Sequence, residues 1–480
     1  MTAPIHIPTL RLGQRYDSLD RVTVTPLGSD TPLAEVSQAL AGMVRRDAKQ
    51  FDEARAALDQ FTTSELLAMC HQAGDLFMNA DLPLGDTTQS PDDYIDQLSQ
   101  TSGLPHTLVR ANMAKIYEVF TEMPTILRGL TRGLDLSVLD AGYGEQGGVP
   151  VSYYPTTSAL GVVLPSNSPG VNSLWMPAIA MKIPVVLKPG REEPWTPWRI
   201  IQAFVGAGLP AEAFGFYPTD HEGAGAVMDV CGRSIIFGGE DTVRQYAGDE
   251  RVEVHGPGWS KLIFGEDCID QWRDHLDVIV KSIAGNSGRS CINASTVLVP
   301  RDGRAIAEGI AERLAAITPT QRDDPAAQLS AFANPKMAQW IDHQITQGLK
   351  TPGAVDLTAA HRGSDERLIE VDGITYLLPT LIYCESPDHP LADREFMFPF
   401  ASVVEMPQAE MVSRMGPSLV VTAITQDVKL TQQLLGSRDI QRLNLGPVPT
   451  SVAKWDQPHE GNLFEFLYHR RAIQRAAAGV

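Results

Sequence analysis

Residues 159–188 read ALGVVLPSNSPGVNSLWMPAIAMKIPVVLK, with two short apolar runs, Ala159–Pro165 and Pro184–Lys188, separated by a segment of helical length. Apolar runs that alternate with such segments are typical of parallel strands connected by helices. Further runs follow at Ala213–Tyr217, Ser234–Phe237 and Leu262–Phe264. The pattern predicts an α/β fold with a doubly wound parallel sheet, which binds ligands beyond the carboxyl ends of its strands.

The same alternation resumes after Cys291 and predicts a second doubly wound lobe. We expect a strand at Thr296–Val299 and a helix near Ala305–Ala316. Further strands are expected near Tyr376–Tyr383, Ala401–Val404 and Leu419–Ile424. The chain therefore predicts two α/β lobes, the second beginning close to the cysteine.

The first 140 residues have a helical pattern instead. Apolar residues from Val36 to Val44 recur at helical spacing, and Thr62 with Glu65 predicts a capping box. The glycine-rich segment Gly142–Gly148 interrupts this pattern, and Val149–Tyr154 alternates as a strand does. We expect a helical N-terminal region followed by a β-hairpin.

The composition excludes some classes of function. The 480 residues include 39 Lys+Arg and 58 Asp+Glu, a net charge of −19, which opposes binding to nucleic acid or anionic membrane. Five scattered cysteines form no CxxC pair and share no metal-ligand spacing with histidine, so no metal site is expected. Without a recognisable secretory signal or long apolar run, we expect a soluble cytoplasmic protein.

One cysteine has the context of a nucleophile. Cys291 lies between the turn that contains Gly288 and a predicted strand, with Arg289 two residues earlier. A reactive thiolate needs partial exposure and nearby positive charge, although a buried, inert thiol would fit the same sequence. A glycine fingerprint for a dinucleotide is missing, since Gly223-Ala-Gly225 has Met228 in the sixth place.

Four segments carry a family resemblance. In chain order they are Leu164-Pro-Ser-Asn167-Ser-Pro169, Val185-Val-Leu-Lys188-Pro189, Gly288-Arg-Ser-Cys291 and Glu395-Phe-Met-Phe-Pro399. Together they resemble the aldehyde dehydrogenase superfamily, well over residues 150–430 and poorly over the first 140. The resemblance implies NAD- or NADP-dependent oxidation of a small aldehyde to a carboxylic acid, through a cysteine thiohemiacetal and a thioester.

The resemblance also implies individual roles. Cys291 would be the nucleophile, and the Asn167 amide would stabilise the oxyanion together with the Cys291 backbone N–H. Lys188 would bind the adenosine ribose and Glu395 the nicotinamide ribose. Arg191 could pair with a 2′-phosphate, which keeps NADP open beside NAD. The residues expected near the cofactor are Pro165, Ser166, Lys188, Arg191, Gly238, Gly239 and Glu395.

The chain departs from the family where a glutamate activates water. In Val252-Glu-Val-His-Gly-Pro-Gly-Trp-Ser-Lys261, either Glu253 or His255 aligns with the general base, and both choices stay open. The Gly-Pro-Gly, with Gly238-Gly239 upstream, resembles the CoA-acylating branch, in which CoA is a co-substrate. The Asn167 and Lys188 segments favour hydrolysis. Acyl-CoA formation or acyl-CoA reduction, and a catalytically silent protein on the same fold, are the alternatives.

The resemblance also implies a domain organisation and a homodimer or homotetramer. The expected segments are 1–140, a helical region joining the cofactor lobe; 141–162, an oligomerisation hairpin; 163–258, the dinucleotide-binding domain; 259–440, the catalytic domain with the nucleophilic cysteine; and 441–480, a tail with oligomer contacts.

Overall fold

The computed structural model describes residues 3–474. These residues divide into two structural units. The first takes its described residues from Met1–Thr101, Val109–His255 and Trp455–Val480, and the second from Ser102–Leu108 and Gly256–Lys454. No helix among residues 3–474 is long and apolar enough to cross a membrane.

The segment before residue 41 forms strands rather than the helices that the sequence predicts. Its strands are β1 (Ile5–Ile7), β2 (Thr9–Arg11), β3 (Gln14–Tyr16), β4 (Arg21–Val24) and β5 (Ala34–Ser37). Val36 is part of the expected helical stripe, but it lies in β5 between Ile7 of β1 and Val22 of β4. Pairing with distant strands decides its conformation, and a short apolar stripe does not reveal such partners.

Helices follow from residue 41, as the sequence predicts. They are α1 (Ala41–Asp47), α2 (Phe51–Asp59), α3 (Thr63–Asn79), α4 (Pro91–Ser102), α5 (His106–Thr121), α6 (Met123–Leu130) and α7 (Ser137–Ala141); β6 (Leu82–Leu84) and β7 (Thr87–Gln89) interrupt them. The capping box is confirmed at the start of α3. The Thr62 hydroxyl accepts the Glu65 N–H at 3.2 Å, and the Glu65 carboxylate accepts the Thr62 N–H at 2.7 Å.

A hairpin follows, formed by β8 (Tyr143–Gln146) and β9 (Val149–Pro155). Gly147 and Gly148 connect them with φ of 58° and 79°, the left-handed pair that tight hairpin turns require. A late strand, β24 (Tyr468–Arg471), pairs antiparallel with β9. The hairpin therefore ends before Leu160, and the following residues belong to a different sheet.

The central sheet of the first unit contains the apolar runs predicted as strands. Its strands are β10 (Leu160–Val163), β11 (Val185–Lys188), β12 (Phe214–Phe216), β13 (Arg233–Phe237) and β14 (Val252–His255), in the spatial order β14-β13-β10-β11-β12-β2-β3. Strands β10 to β14 pair in parallel, which confirms the predicted architecture. Four helices connect them: α8 (Pro177–Ala180), α9 (Trp195–Gly206), α10 (His221–Val230) and α11 (Glu240–Tyr246). The chain order reverses between β10 and β13, where doubly wound sheets bind ligands.

The second unit has its own seven-stranded sheet, in the order β17-β20-β21-β16-β15-β22-β23. Its strands are β15 (Ser260–Phe264), β16 (Ala294–Val299), β17 (Ala354–Asp356), β20 (Thr380–Cys384), β21 (Phe400–Glu405), β22 (Ser418–Ile424) and β23 (Ile440–Leu445); β18 (Leu368–Val371) and β19 (Ile374–Leu377) form a separate hairpin. Its helices are α12 (Leu276–Ala284), α13 (Gly303–Ala315), α14 (Pro335–Gly348), α15 (Thr358–Arg362), α16 (Gln408–Arg414) and α17 (Val428–Gly436), while α18 (Leu463–Leu467) belongs to the first unit. The strand expected at Tyr376–Tyr383 divides into β19 and β20 at Pro379, because proline has no N–H for a ladder.

Candidate active site

Cys291 lies on a tightly constrained loop of the second unit, three residues before β16. Asn286, Ser287 and Gly288 precede it with φ of 52°, 56° and 66°. Left-handed backbone is unfavourable for side chains other than glycine, and such strain is frequent at functional sites. Cys291 itself is half-buried. The loop therefore presents a partly accessible thiol on a backbone that the surrounding structure holds in place.

Buried polar groups fix this loop. The Arg289 guanidinium donates to the Ser102 carbonyl at 2.7 Å and also to the Ala331 carbonyl. Burial lowers the pKa of Arg289 to about 10, so it remains a cation at neutral pH. The Asn293 side chain accepts the Ser290 N–H at 2.9 Å and donates to two carbonyls before the loop. The backbone on both sides of Cys291 is thereby anchored.

Two of the sequence motifs pack on the same loop. A Cβ on Gly258, in the Gly-Pro-Gly turn, would lie 2.0 Å from the Cys291 carbonyl oxygen, and one on Gly288 would lie 2.3 Å from the Phe398 carbonyl carbon. Only glycine permits these approaches. The Ser260 hydroxyl also donates to the Cys291 carbonyl, at 2.9 Å. The structure thus brings the Gly-Pro-Gly turn and the Glu395–Pro399 segment to the predicted nucleophile.

The other cysteines lack this setting. Cys70, Cys231 and Cys384 are buried, and burial raises the pKa of each thiol. Cys268 is half-buried like Cys291, but burial and then the adjacent Asp267 carboxylate raise its pKa. A raised pKa keeps a thiol protonated and weakly nucleophilic.

Glu395 is engaged inside the second unit. Its Oε2 accepts the Trp259 N–H at 2.6 Å, directly after the Gly-Pro-Gly turn. Nearby, the buried Lys261 ammonium lies 3.0 Å from an Asp393 oxygen, and burial lowers the pKa of Lys261. One carboxylate oxygen of Glu395 therefore already stabilises the turn, so its expected role toward a ribose stays a prediction.

Several predicted cofactor residues gather at one edge of the sheet in the first unit. Val163 at the end of β10 is in register with Lys188 of β11 and with Ile236 of β13. Pro165, Ser166 and Asn167 continue from β10, and Gly238 and Gly239 continue from β13. A Cβ on Gly190 would lie 2.6 Å from the Pro165 carbonyl oxygen, so the loops after β10 and β11 touch. This edge lies at the reversal of strand order.

Both basic and acidic side chains lie at this edge of the sheet. Lys188 is half-buried, and burial lowers its pKa, while Arg191 is exposed. Helix α11 begins with Glu240 and Asp241, and a Cβ on Gly238 would lie 2.2 Å from the Thr242 hydroxyl. Acidic side chains occupy the helix start where an anion would otherwise be favoured. The edge has close backbone approaches and a cation for a dinucleotide, but not the usual phosphate contact.

Sequence reasoning missed one member of a charged cluster around His255. The Nε2 atom of His255 lies 3.1 Å from the Glu253 carboxylate, and Nδ1 contacts the Glu460 carboxylate. The imidazole is buried and stacks on Phe237, with ring centroids 4.8 Å apart. Glu460 has φ of 55°, a left-handed conformation that is unfavourable for residues other than glycine and is frequent at functional sites. No spacing in the sequence links Glu460 to β14.

The two carboxylates determine the charge of His255. Burial by itself would lower its pKa, but Glu460 and Glu253 outweigh that effect and raise the pKa to about 10. His255 is therefore an imidazolium at neutral pH, with a carboxylate on each ring nitrogen. A general base needs an unprotonated nitrogen facing its substrate. This arrangement favours Glu253 over His255 as the base.

The raised pKa of His255 predicts a pH-dependent contribution to stability. We expect His255→Gln to lower the free energy of unfolding by about 3–5 kcal/mol near pH 7, because two buried carboxylates lose their partner. A raised pKa gives stability that is complete below about 6.5 and is lost as pH rises through about 10. Denaturation at pH 7, 9 and 10.5 should show the difference from wild type shrinking. His71→Gln, at an exposed histidine, is the control; a difference independent of pH would contradict the ion-pair assignment.

Donor atoms of His255, His459 and Glu460 lie within 4.8 Å of one another, a grouping that could hold a metal ion. However, Nδ1 of His255 and Glu460 Oε2 are in direct contact. Two ligands of one zinc ion, each about 2.0–2.1 Å from it, lie roughly 3 Å apart. The contact leaves no room for an ion between them, and the absence of a metal site stays a prediction from sequence.

Comparison with known proteins points to one family. A sequence profile described as "Aldehyde dehydrogenase family" matches residues 21–416. Methylmalonate-semialdehyde dehydrogenase [acylating] of Arabidopsis thaliana is 24% identical over 310 residues, 58% of this chain and 49% of that protein. N-succinylglutamate 5-semialdehyde dehydrogenase of Vibrio cholerae is 27% identical over 238 residues, 42% and 48% of the two chains. The matched regions span about half of these relatives.

Solved structures resemble the whole chain. The aldehyde dehydrogenase KauB from Pseudomonas aeruginosa has a TM-score of 0.80 at 18% identity, covering 98% of this chain and 97% of that one. An indole-3-acetaldehyde dehydrogenase in complex with NAD⁺ has a TM-score of 0.78 at 17% identity, covering 98% and 96%. At such identities the likeness shows a shared fold, which agrees with the two lobes predicted from sequence.

Proposed function

Because the chain belongs to the aldehyde dehydrogenase family, we propose that it oxidises an aldehyde to a carboxylic acid, with NAD or NADP as hydride acceptor and Cys291 as nucleophile. The main support is the loop of Cys291. A half-buried thiol follows three left-handed residues and a buried Arg289 that is anchored to two carbonyls. Structural cysteines do not need such a support. NAD⁺ is bound by the indole-3-acetaldehyde dehydrogenase that shares this fold.

In the proposed reaction, the Cys291 thiolate attacks the aldehyde carbon and forms a thiohemiacetal. The Asn167 amide and the Cys291 backbone N–H stabilise the oxyanion. NAD or NADP, if held by Lys188 and Glu395, would supply the hydride acceptor, and loss of hydride from the thiohemiacetal carbon would leave a thioester on Cys291. Water, deprotonated by Glu253, then attacks the thioester carbon, and the carboxylic acid leaves as the thiolate is restored. The cofactor would lie at the carboxyl edge of β10, β11 and β13, near Lys188, with Glu395 and Arg191 as further candidate contacts.

Replacing Asn167 with alanine should lower kcat by about 10²–10³ and leave cofactor affinity nearly unchanged, because the amide acts only where charge develops. Steady-state kinetics and cofactor titration measure the two effects separately. Asn167→Asp keeps the size of the side chain but places a carboxylate beside the oxyanion, so its loss should be larger still. If the whole loss appeared in the cofactor Kd, Asn167 would be a residue that positions the cofactor.

Acyl transfer to CoA is the second candidate function. The turn after β14 is Gly256-Pro257-Gly258, which offers no side chain that could activate water, and its last glycine packs on the Cys291 carbonyl. His255, directly before the turn, has both ring nitrogens beside carboxylates. The Arabidopsis relative is named as an acylating enzyme. With CoA as acceptor a thiolate attacks the thioester, and no strong base is required.

We also propose that the hairpin of β8 and β9, with β24, forms oligomer contacts in a homodimer or homotetramer. Tyr143, Val149 and Tyr154 of this small sheet are 41%, 52% and 40% exposed. Large apolar side chains grouped on one sheet favour burial against another surface. In this proposal the first unit binds the cofactor and the second carries the nucleophile.

A further inference from the structure

A pocket beside the Glu253–His255–Glu460 cluster lies entirely within the first unit. Its empty space is about 410 Å³ when the part open to solvent is counted. One side is apolar and is formed by Ile126 and Leu130 of α6, Leu174, Pro177 and Leu463. Apolar lining residues of this kind favour the apolar portion of a bound molecule.

The wall also has a polar part. Glu253, Ser173, Gln457 and His459 contribute to it, and Trp455 adds an aromatic face. The ring of Trp455 packs edge-on against His459, with centroids 5.9 Å apart. A Cβ on Gly461, also in the wall, would lie 2.7 Å from a Glu253 oxygen, so the Glu253 side chain is held against this turn. The carboxylate is thereby fixed at one place in the pocket.

Negative charge exceeds positive charge at this wall. Among the described residues, no lysine or arginine lines the pocket. His255, which contacts Glu253 of the wall, is flanked by two carboxylates, so its positive charge is already matched and the cluster has an excess of negative charge. A substrate carboxylate lying along the apolar residues of the wall would lose part of its water and find no lysine or arginine partner among the lining residues. Burying an unpaired charge in this way is strongly unfavourable.

Of the residues proposed to act on the aldehyde, Glu253 lies in the wall and Asn167 is close to the wall in sequence. Asn167 comes two residues before the short helix Pro169–Leu174, and that helix supplies Ser173 and Leu174 to the wall. Glu253, the proposed base, is itself in the wall. An aldehyde whose carbonyl end lies toward Asn167 and Glu253 would extend its remaining atoms along Leu174 and the α6 residues.

We propose that this pocket selects an uncharged aldehyde with an apolar or aromatic body, and excludes aldehydes that carry a carboxylate. This inference rests on the proposed function and narrows its substrate class. It separates the chain from its curated relatives, which are named for semialdehydes. The distinguishing feature is a wall with one carboxylate and without a lysine or arginine among the residues described.

Matched substrates test the inference directly. Hexanal and 6-oxohexanoate have the same chain and differ by a terminal carboxylate, and 5-(trimethylammonio)pentanal adds a cation of similar length. We expect kcat/KM for hexanal to exceed that for 6-oxohexanoate by at least about 100-fold. Equal or better use of 6-oxohexanoate would overturn the inference. A preference of tenfold or more for the cationic aldehyde over hexanal would also overturn it, since the pocket would then select a charged substrate.

A substitution in the wall should change the ratio of kcat/KM for 6-oxohexanoate to kcat/KM for hexanal. Gln457 is exposed at the rim, so Gln457→Arg can add a cation without disturbing the core. We expect it to raise kcat/KM for 6-oxohexanoate at least tenfold relative to hexanal. Gln457→Met changes the side chain without adding charge and should not improve use of 6-oxohexanoate. The same improvement in both variants would show that charge does not control selection.

Binding of unreactive amides separates this inference from the proposed reaction. Hexanamide and 6-amino-6-oxohexanoate resemble the two aldehydes but cannot transfer hydride. Calorimetric titration of the wild-type protein should give at least tenfold tighter binding of hexanamide. That result without turnover of any aldehyde would reject the proposed reaction and retain the pocket's selectivity. Binding of hexanamide no tighter than that of the acid, or no binding of either, would overturn the inference.

Discussion

Replacing Cys291 with alanine is expected to lower kcat/KM by about 10³-fold or more, because in the proposed mechanism the Cys291 sulfur forms the covalent thioester. NAD(P)H formation across a panel of aldehydes, with and without CoA, measures the loss. Cys268→Ala is the matched control, since Cys268 is the other half-buried thiol and its pKa is raised by burial and Asp267. We expect that variant to keep wild-type activity.

The reading of this experiment depends on intact folding. Cys291→Ala removes one sulfur from a half-buried position, so circular dichroism and cofactor titration should match those of the wild type. Activity above a hundredth of wild type in a clean preparation would reject Cys291 as the nucleophile. If the wild type itself turned over no aldehyde, with or without CoA, the catalytically silent alternative would be favoured.

The parallel sheets were predictable because both of their faces are covered. Leu160–Val163 and Val185–Lys188 belong to nearly continuous apolar runs. Such runs are typical of parallel strands that are buried on both faces. The short N-terminal strands β1, β4 and β5 were not predictable from the local pattern. Val36 follows a helical stripe in the sequence, yet it pairs with Ile7 and Val22. Such pairings are decided by distant segments, and a local period contains no information about them.

The candidate site likewise has features that the sequence predicts and features that it does not. The motif around Cys291 identified the nucleophile candidate, and Gly288 indicated a tight turn before it. The left-handed conformations of Asn286 and Ser287 were not visible, because the side chains of neither residue require them. The charge of His255 could not be predicted from the sequence either. Its protonation depends on burial and on Glu460, a residue brought close only by the fold.

Glu253→Gln is expected to lower steady-state turnover by about 10²–10⁴, while a pre-steady-state burst of NAD(P)H remains. The burst follows because hydride transfer precedes hydrolysis and does not need the base. Glu460→Gln is the matched control. It removes the same charge from the same histidine, but Glu460 does not line the pocket. We expect no burst in that variant, since deacylation continues once Glu253 is present.

CoA decides between the two proposed acceptors of the acyl group. If water is the acceptor, CoA should not change wild-type turnover. The pre-steady-state burst of NAD(P)H should then appear in Glu253→Gln alone. His255→Gln should show only a partial defect, because His255 positions Glu253 through one ring nitrogen and carries no free nitrogen for water. If CoA is the acceptor, it should raise wild-type turnover, acyl-CoA should accumulate, and Glu253→Gln should be tolerated. We expect hydrolysis, because Glu253, the proposed base, is a carboxylate held in the wall of the pocket that we propose for the aldehyde.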